Sequence, residues 1–289
     1  MKRLEPCVWY YRMSRISCEN CMCAFASKKL LKSHRAEYHA RGAEVGVCAP
    51  EPGDDVPPPE TPLGEVLRRC VDMFAVRGAA ERLGVSTSTV RRWQEKDGPP
   101  AAYALELRRA AEMPIDYSEY TFAAKDQFYT PEAVVRRCWA AFIETVRPDV
   151  AAYVFIEPAA GNGSFLAALP AGSIAMDVEP LREDIQAMDY LAWTPPDAAA
   201  KYVVFGAPPV GVRCSAALRF LRHSRAFAAY VCFVLPKAFA SSAKGGPRSR
   251  VEGYALAHCE PVAARFAVPY GPAVSLDMVF QIWANADIS

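Results

Sequence analysis

From about Tyr117 to the end, short runs of β-branched and aromatic residues alternate with alanine-rich stretches of helical spacing. That alternation is the pattern of a parallel α/β sheet. It predicts strands at Tyr153–Glu157, Ser173–Asp177, Tyr202–Gly206, Tyr230–Leu235, about Ala263–Val268, and Met278–Trp283. It predicts helices over Pro131–Thr145, Ser164–Leu169 and Ser215–Arg225. Upstream, residues 63–113 keep helical spacing throughout, and residues 49–62 are rich in Pro and acid and read as a stiff, solvated linker. The chain therefore divides into a Cys/His-bearing region over 1–48, the linker over 49–62, a helical module over 63–113 and an α/β domain over 114–289.

Composition changes this picture little. Of 289 residues 52% are hydrophobic and 22% charged, which fits a folded protein with one large core and one or two small modules. Net charge is +1, but it is unevenly placed: residues 1–48 carry nine Lys/Arg against four Asp/Glu, and residues 49–65 carry five acids and no base. A basic front half hints at an anionic partner. No apolar run has the length of a membrane span, and the opening Met1-Lys2-Arg3 is unlike a signal peptide. Ten cysteines scattered in apolar context fit reduced thiols. The expected location is intracellular, in nucleus or cytoplasm.

Cys18, Cys21, His34 and His39 have the spacing C-x2-C-x12-H-x4-H, and Phe25 and Leu31 sit where C2H2 zinc fingers carry their core residues. Tetrahedral zinc needs four such ligands, and a finger this small takes its folding energy from the metal. The positions that read bases in that family fall here on Ser27, Leu30 and Ser33, which lack bidentate geometry. Lys28, Lys29, Lys32 and Arg35 suit phosphate contact instead. A protein-binding finger is the alternative.

Val76–Trp93 matches the helix-turn-helix pattern, with Ala80 for close helix approach, Gly84 for the turn and Ser86 as cap of the second helix. That helix is expected to present Thr87, Ser88, Arg91 and Arg92 to double-stranded DNA.

Three motifs follow in order: Lys125-Asp-Gln-Phe-Tyr-Thr-Pro131, Phe155-Ile-Glu-Pro-Ala-Ala-Gly-Asn-Gly-Ser-Phe-Leu166 and Val203-Val-Phe-Gly-Ala-Pro-Pro-Val-Gly211. Together they resemble the S-adenosylmethionine (SAM) dependent adenine-N6 DNA methyltransferases. Val234–Phe239 and Phe280–Trp283 add to the likeness. The resemblance covers about residues 118–289 and implies a seven-stranded, Rossmann-like SAM-methyltransferase sheet. It implies SAM contacts from Phe128, Tyr129, Thr130, Glu157, Gly161 and Gly163. Asp177 would take the ribose hydroxyls, with Glu179 close by, and Asp189 the adenine amine.

The third motif departs from the family. Where the family has Asn/Asp/Ser-Pro-Pro-aromatic, this chain has Ala207, Pro208, Pro209 and Val210. The family's polar side chain accepts from the target amine, and its aromatic ring stacks on a flipped base. Ala207 and Val210 do neither. Chemistry is therefore expected to be impaired, in a natural non-catalytic relative or in a chain altered at these two positions. A regulator or methyltransferase partner subunit, and a methyltransferase of RNA or of protein glutamine, are the alternative readings.

Reduced, untagged protein is expected to carry about one zinc per chain through Cys18, Cys21, His34 and His39. Metal analysis checks this, and Cys21→Ala retaining the full zinc content would refute it.

Overall fold

The structure is a computed structural model that describes residues 16–17, 24–25, 61–269 and 271–288. Two short antiparallel strands, β1 (Ile16–Ser17) and β2 (Ala24–Phe25), pair with Ile16 opposite Phe25. The four expected zinc ligands lie outside the described residues. Residues 61–269 and 273–288 belong to one compact unit, which holds both the helical segment and the large sheet.

The sheet has seven strands: β3 (Tyr153–Glu157), β4 (Ile174–Asp177), β5 (Gln186–Ala187), β6 (Lys201–Gly206), β7 (Ala228–Pro236), β8 (Tyr254–Phe266) and β9 (Val274–Asn285). Their order is β5-β4-β3-β6-β7-β9-β8. Strands β3 to β7 pair in parallel, and β9 runs antiparallel to both β7 and β8. The parallel part has the doubly wound order, which reverses between β3 and β6.

Residue alternation explains how the central strands are buried on both sides. Val203 and Phe205 of β6 face helix α4 (Glu132–Val146) through Phe142, and Tyr202 and Val204 face α5 (Ser215–Ser224) through Ala217 and Leu221. Buried polar side chains fasten the edges. Asn285 Nδ2 donates to Arg225 O and Ala228 O, each at 2.9 Å, and Gln281 Nε2 to Phe239 O at 2.9 Å.

Three expectations change. Strand β8 begins at Tyr254, well before Ala263, because it is an edge strand whose alternate positions are exposed and which contains Pro261. Strand β5 is two exposed residues and leaves no hydrophobic pattern. The helix expected at Ser164–Leu169 is only a 3-10 turn over Leu166–Ala168. The Glu157 carboxyl accepts the Phe165 and Leu166 N–H groups as at a helix start, but Leu169, directly before Pro170, is already extended at φ −80° and ψ 157°, so the turn cannot lengthen.

Three helices precede the sheet: α1 (Leu63–Leu83), α2 (Thr87–Glu95) and α3 (Ala104–Ala110). Helix α1 breaks at Ala75, where φ is 55° and ψ 171°. A separate piece thus starts at Val76 and ends at Gly84, whose φ of 63° closes the helix through Val85 N–H to Ala80 O at 3.0 Å. Ser86 Oγ accepts from Thr89 N–H at 3.2 Å and starts α2. Ala80, Leu83, Val90 and Trp93 are buried in this segment's own core, while Thr87, Ser88, Arg91 and Arg92 are exposed. Among the described residues no helix is long and apolar enough to cross a membrane.

Phe142 is fully buried and meets Trp139, Phe155, Phe205 and Tyr230 edge-on or tilted. Phe142→Ala is expected to cost about 3–5 kcal/mol of stability, and Arg91→Ala on the exposed face of α2 less than about 0.5 kcal/mol. Urea unfolding of both variants checks the contrast. Similar midpoints would contradict this core.

Candidate functional site

In an open parallel sheet the crevice beyond the strands' carboxyl ends, where the order reverses, is the natural ligand site. Here it is a cleft of about 930 Å³, open solvent included. Its floor is the turn after β3. Gly161 takes φ 52° and a side chain there would meet the Tyr129 ring at 3.0 Å, so only glycine lets the turn lie against that ring. Gly161 N–H donates to Asp177 Oδ2 and Glu179 N–H to Asp177 Oδ1, both at 2.8 Å. Glu179 in turn holds the segment before α4, through Lys125 Nζ at 2.8 Å and Gln127 Nε2 at 3.3 Å. Tyr129 is anchored from the other side by paired backbone bonds with Ala267, at 2.8 and 3.0 Å.

The Pro-Pro loop after β6 is held by two acids from elsewhere in the chain, Glu106 buried and Asp126 half-buried. Asp126 Oδ2 accepts Gly211 N–H at 2.8 Å. Glu106, on α3, accepts Val212 N–H through Oε1 and the Ser215 hydroxyl through Oε2, both at 2.8 Å. Gly211 has φ 69°, and a Cβ there would lie 2.1 Å from Glu106 Oε1. Val212 packs onto the core of the helical segment. The helices and the loop thus interlock.

Phe128, Tyr129, Thr130, Glu157, Gly161, Asp177 and Asp189 all line the cleft, and so do Ala207 and Pro209. Gly163, Pro208 and Val210 are not among its lining residues. Gly163 lies under the Arg182 side chain, and Val210 packs against the core on the α5 side of the sheet. Sequence reasoning missed Glu106, Arg109, Tyr117, Arg219 and Phe220. Arg109, Tyr117, Arg219 and Phe220 line the cleft from the helical segment and α5, and no local motif marks them.

The donor set fits an adenosine-bearing ligand with a charged amino-acid end, such as SAM. Asp177 keeps free lone pairs on both oxygens for hydroxyl donors. Val178, Met188, Leu191 and Phe220 offer apolar surface for a flat ring, with the Asp189 carboxyl at its edge. Thr130 is 5% exposed and its hydroxyl is buried without a protein partner, an open polar contact inside the cleft. Among the described residues no group of three or more His, Cys, Asp or Glu could hold a metal ion.

No protein-family model matches the sequence, and no curated protein matches it. Solved structures with some likeness include a candidate RNA methyltransferase from Pyrococcus horikoshii, at 13% identity and TM-score 0.42 over 56% of this chain and 87% of that one. A Thermoplasma acidophilum protein is 14% identical at TM-score 0.36, over 54% and 95% of the two chains. A candidate methyltransferase from Escherichia coli is 12% identical at TM-score 0.31, over 54% and 89%. These likenesses are low, and the fold rests on its own strand order.

Burial raises the carboxyl pKa of Glu157 to about 8, outweighing the two N–H donors that favour its charged form. Glu106, Asp126 and Asp177 are shifted upward by burial too. The folded protein therefore holds a proton on Glu157 at pH values where the unfolded chain has lost it. Stability contributed here falls as pH rises from about 4.5 to about 8 and is level above. Glu157→Gln imitates the protonated acid. Its melting temperature relative to the parent is expected to rise steadily through that window. A constant difference from about pH 5 to about pH 9 would show that Glu157 is ionised throughout.

Proposed function

We propose that this chain is a SAM-binding protein of the methyltransferase type that acts on nucleic acid, with DNA adenine-N6 as the substrate position its motifs favour. One observation carries the reading. The glycine turn, Asp177, Asp189, the Phe128–Thr130 segment and the Pro-Pro loop, which the sequence spaces over eighty residues and more, all border one cleft at the reversal point of the sheet.

In this reading Asp177 accepts the ribose hydroxyls and Asp189 the adenine amine, while Thr130 meets the amino-acid end. When bound, SAM supplies an electrophilic methyl group. The chain's own contribution to transfer is the placing of the target nitrogen. Ala207 lines the cleft where an acceptor is needed and has none to offer. Val210 is half-buried against the core on the α5 side and has no ring to stack on a base. Loss of one such acceptor costs about 10²–10³ in rate.

Those two residues also favour a second reading, a non-catalytic nucleic-acid-binding protein or partner subunit that keeps the cleft. In both readings the exposed Thr87, Ser88, Arg91 and Arg92 of α2 are the duplex-DNA-facing surface, and the finger with its zinc is an added contact. RNA fits the cleft equally, and the basic helical face is the reason to place DNA first.

Calorimetry is expected to show SAM binding to the full chain, weakened by about 1.5–3 kcal/mol in Asp177→Ala. A labelled-methyl assay on DNA is expected to find no transfer. Ala207→Asn together with Val210→Phe should raise transfer strongly with little change in SAM affinity. Absence of SAM binding sinks the first reading. Robust transfer by the unaltered chain would mean that another group does the work of the missing acceptor.

A further inference from the structure

Two arginines border the cleft outside any close ion pair among the described residues, Arg109 within the field of Asp126 and Asp177. Arg219 projects from the middle of α5, half-buried, between Leu218 and Phe220, which pack into the core. Its Nε is buried and has no hydrogen-bond partner. Arg109, in the last turn of α3, lines the same cleft; its Nε donates to the Tyr117 hydroxyl at 3.3 Å and its guanidinium lies 5.3 Å from the Tyr117 ring centre. Among the described residues neither arginine makes an ion pair.

The acids that act on Arg219 are Glu106 and Asp189. Both oxygens of Glu106 are committed to Val212 and Ser215, and Asp189 Oδ1 accepts Leu191 N–H at 2.9 Å. Burial, and then the like charge of Arg109, push the Arg219 pKa down. A desolvated guanidinium facing another cation is costly unless an anion joins them.

We propose that Arg109 and Arg219 form an oxyanion subsite that holds a phosphate of the nucleic-acid substrate at the rim of the cleft. Guanidinium groups match phosphate oxygens two by two, and two of them from different elements fix the position of a strand as well as its charge. The inference rests on the reading of the substrate as nucleic acid. Oxyanions reach this cleft from two sources, the phosphate of a substrate strand and the carboxylate of SAM itself. Arg219 lies within the field of Asp189, the residue assigned to the adenine end. Thr130 and the glycine turn serve the amino-acid end. The carboxylate is therefore provided for elsewhere.

The test uses the full chain as parent, Arg219→Gln and Arg109→Gln. Inorganic phosphate at fixed ionic strength is expected to raise the melting temperature of the parent and of neither variant. A labelled oligonucleotide, titrated by anisotropy at several salt concentrations, should bind each variant about ten- to a hundredfold more weakly, with a salt slope smaller by about one. Affinity for S-adenosylhomocysteine should change less than about threefold. Equal phosphate stabilisation of parent and variants overturns the subsite. A fall in S-adenosylhomocysteine affinity with oligonucleotide binding intact overturns it too, and assigns the arginines to the cofactor's carboxylate. Should one variant fail to fold, the other carries the same comparison. If S-adenosylhomocysteine does not bind the parent while the phosphate and oligonucleotide effects hold, the subsite stands and the methyltransferase reading falls.

Discussion

Loops at the carboxyl ends of parallel strands expose backbone N–H groups that the sheet cannot pair, and burying them unpaired is expensive. In this protein buried and half-buried carboxyl groups take them. Glu157 receives Phe165 and Leu166, Asp177 receives Gly161 and Glu179, Asp126 receives Gly211, and Glu106 receives Val212 with the Ser215 hydroxyl. All four acids are shifted upward by burial. The turns that border the cleft are held in shape by these acids.

The same device explains why the helical segment is more than an appendage. Glu106 reaches from α3 into the loop after β6, and Val212 reaches back into the helical core. Gly84, which closes the piece of α1 before α2, has the Ser215 side chain 3.0 Å from where its Cβ would be. A shift of α1 or α3 therefore presses directly on the Pro-Pro loop. Whatever the exposed face of α2 binds, its helices share a core with the residues nearest the candidate reaction centre.

In the Pro-Pro loop the Gly211 and Val212 N–H groups are paired with Asp126 and Glu106, and Gly211 fits against Glu106. Among the described residues the Arg219 Nε and the Thr130 hydroxyl are buried polar groups at the cleft without a hydrogen-bond partner. Groups of that kind cost stability in a protein that binds nothing there.

Local patterns determined much of this protein from sequence alone. The apolar runs at Tyr153–Glu157 and Lys201–Gly206, the capping Ser86 and the turns at Gly84 and Gly161 are set by neighbours a few residues apart, so they were legible. Part of the cleft lining was legible as well, because its motifs sit at strand ends, although Gly163, Pro208 and Val210 fall outside it. The two-residue β5 and most of β8 were not, since an exposed edge strand takes its form from pairing and not from hydrophobic pattern. The helix expected at Ser164–Leu169 shrank to one turn because Leu169, the residue before Pro170, is held extended. Glu106, Arg109 and Arg219 could not be found along the chain. Glu106 meets its partners 106 and 109 residues away, and only the packing of α3 and α5 around the Pro-Pro loop turns ordinary helical charges into groups that shape the cleft and the loop beside it.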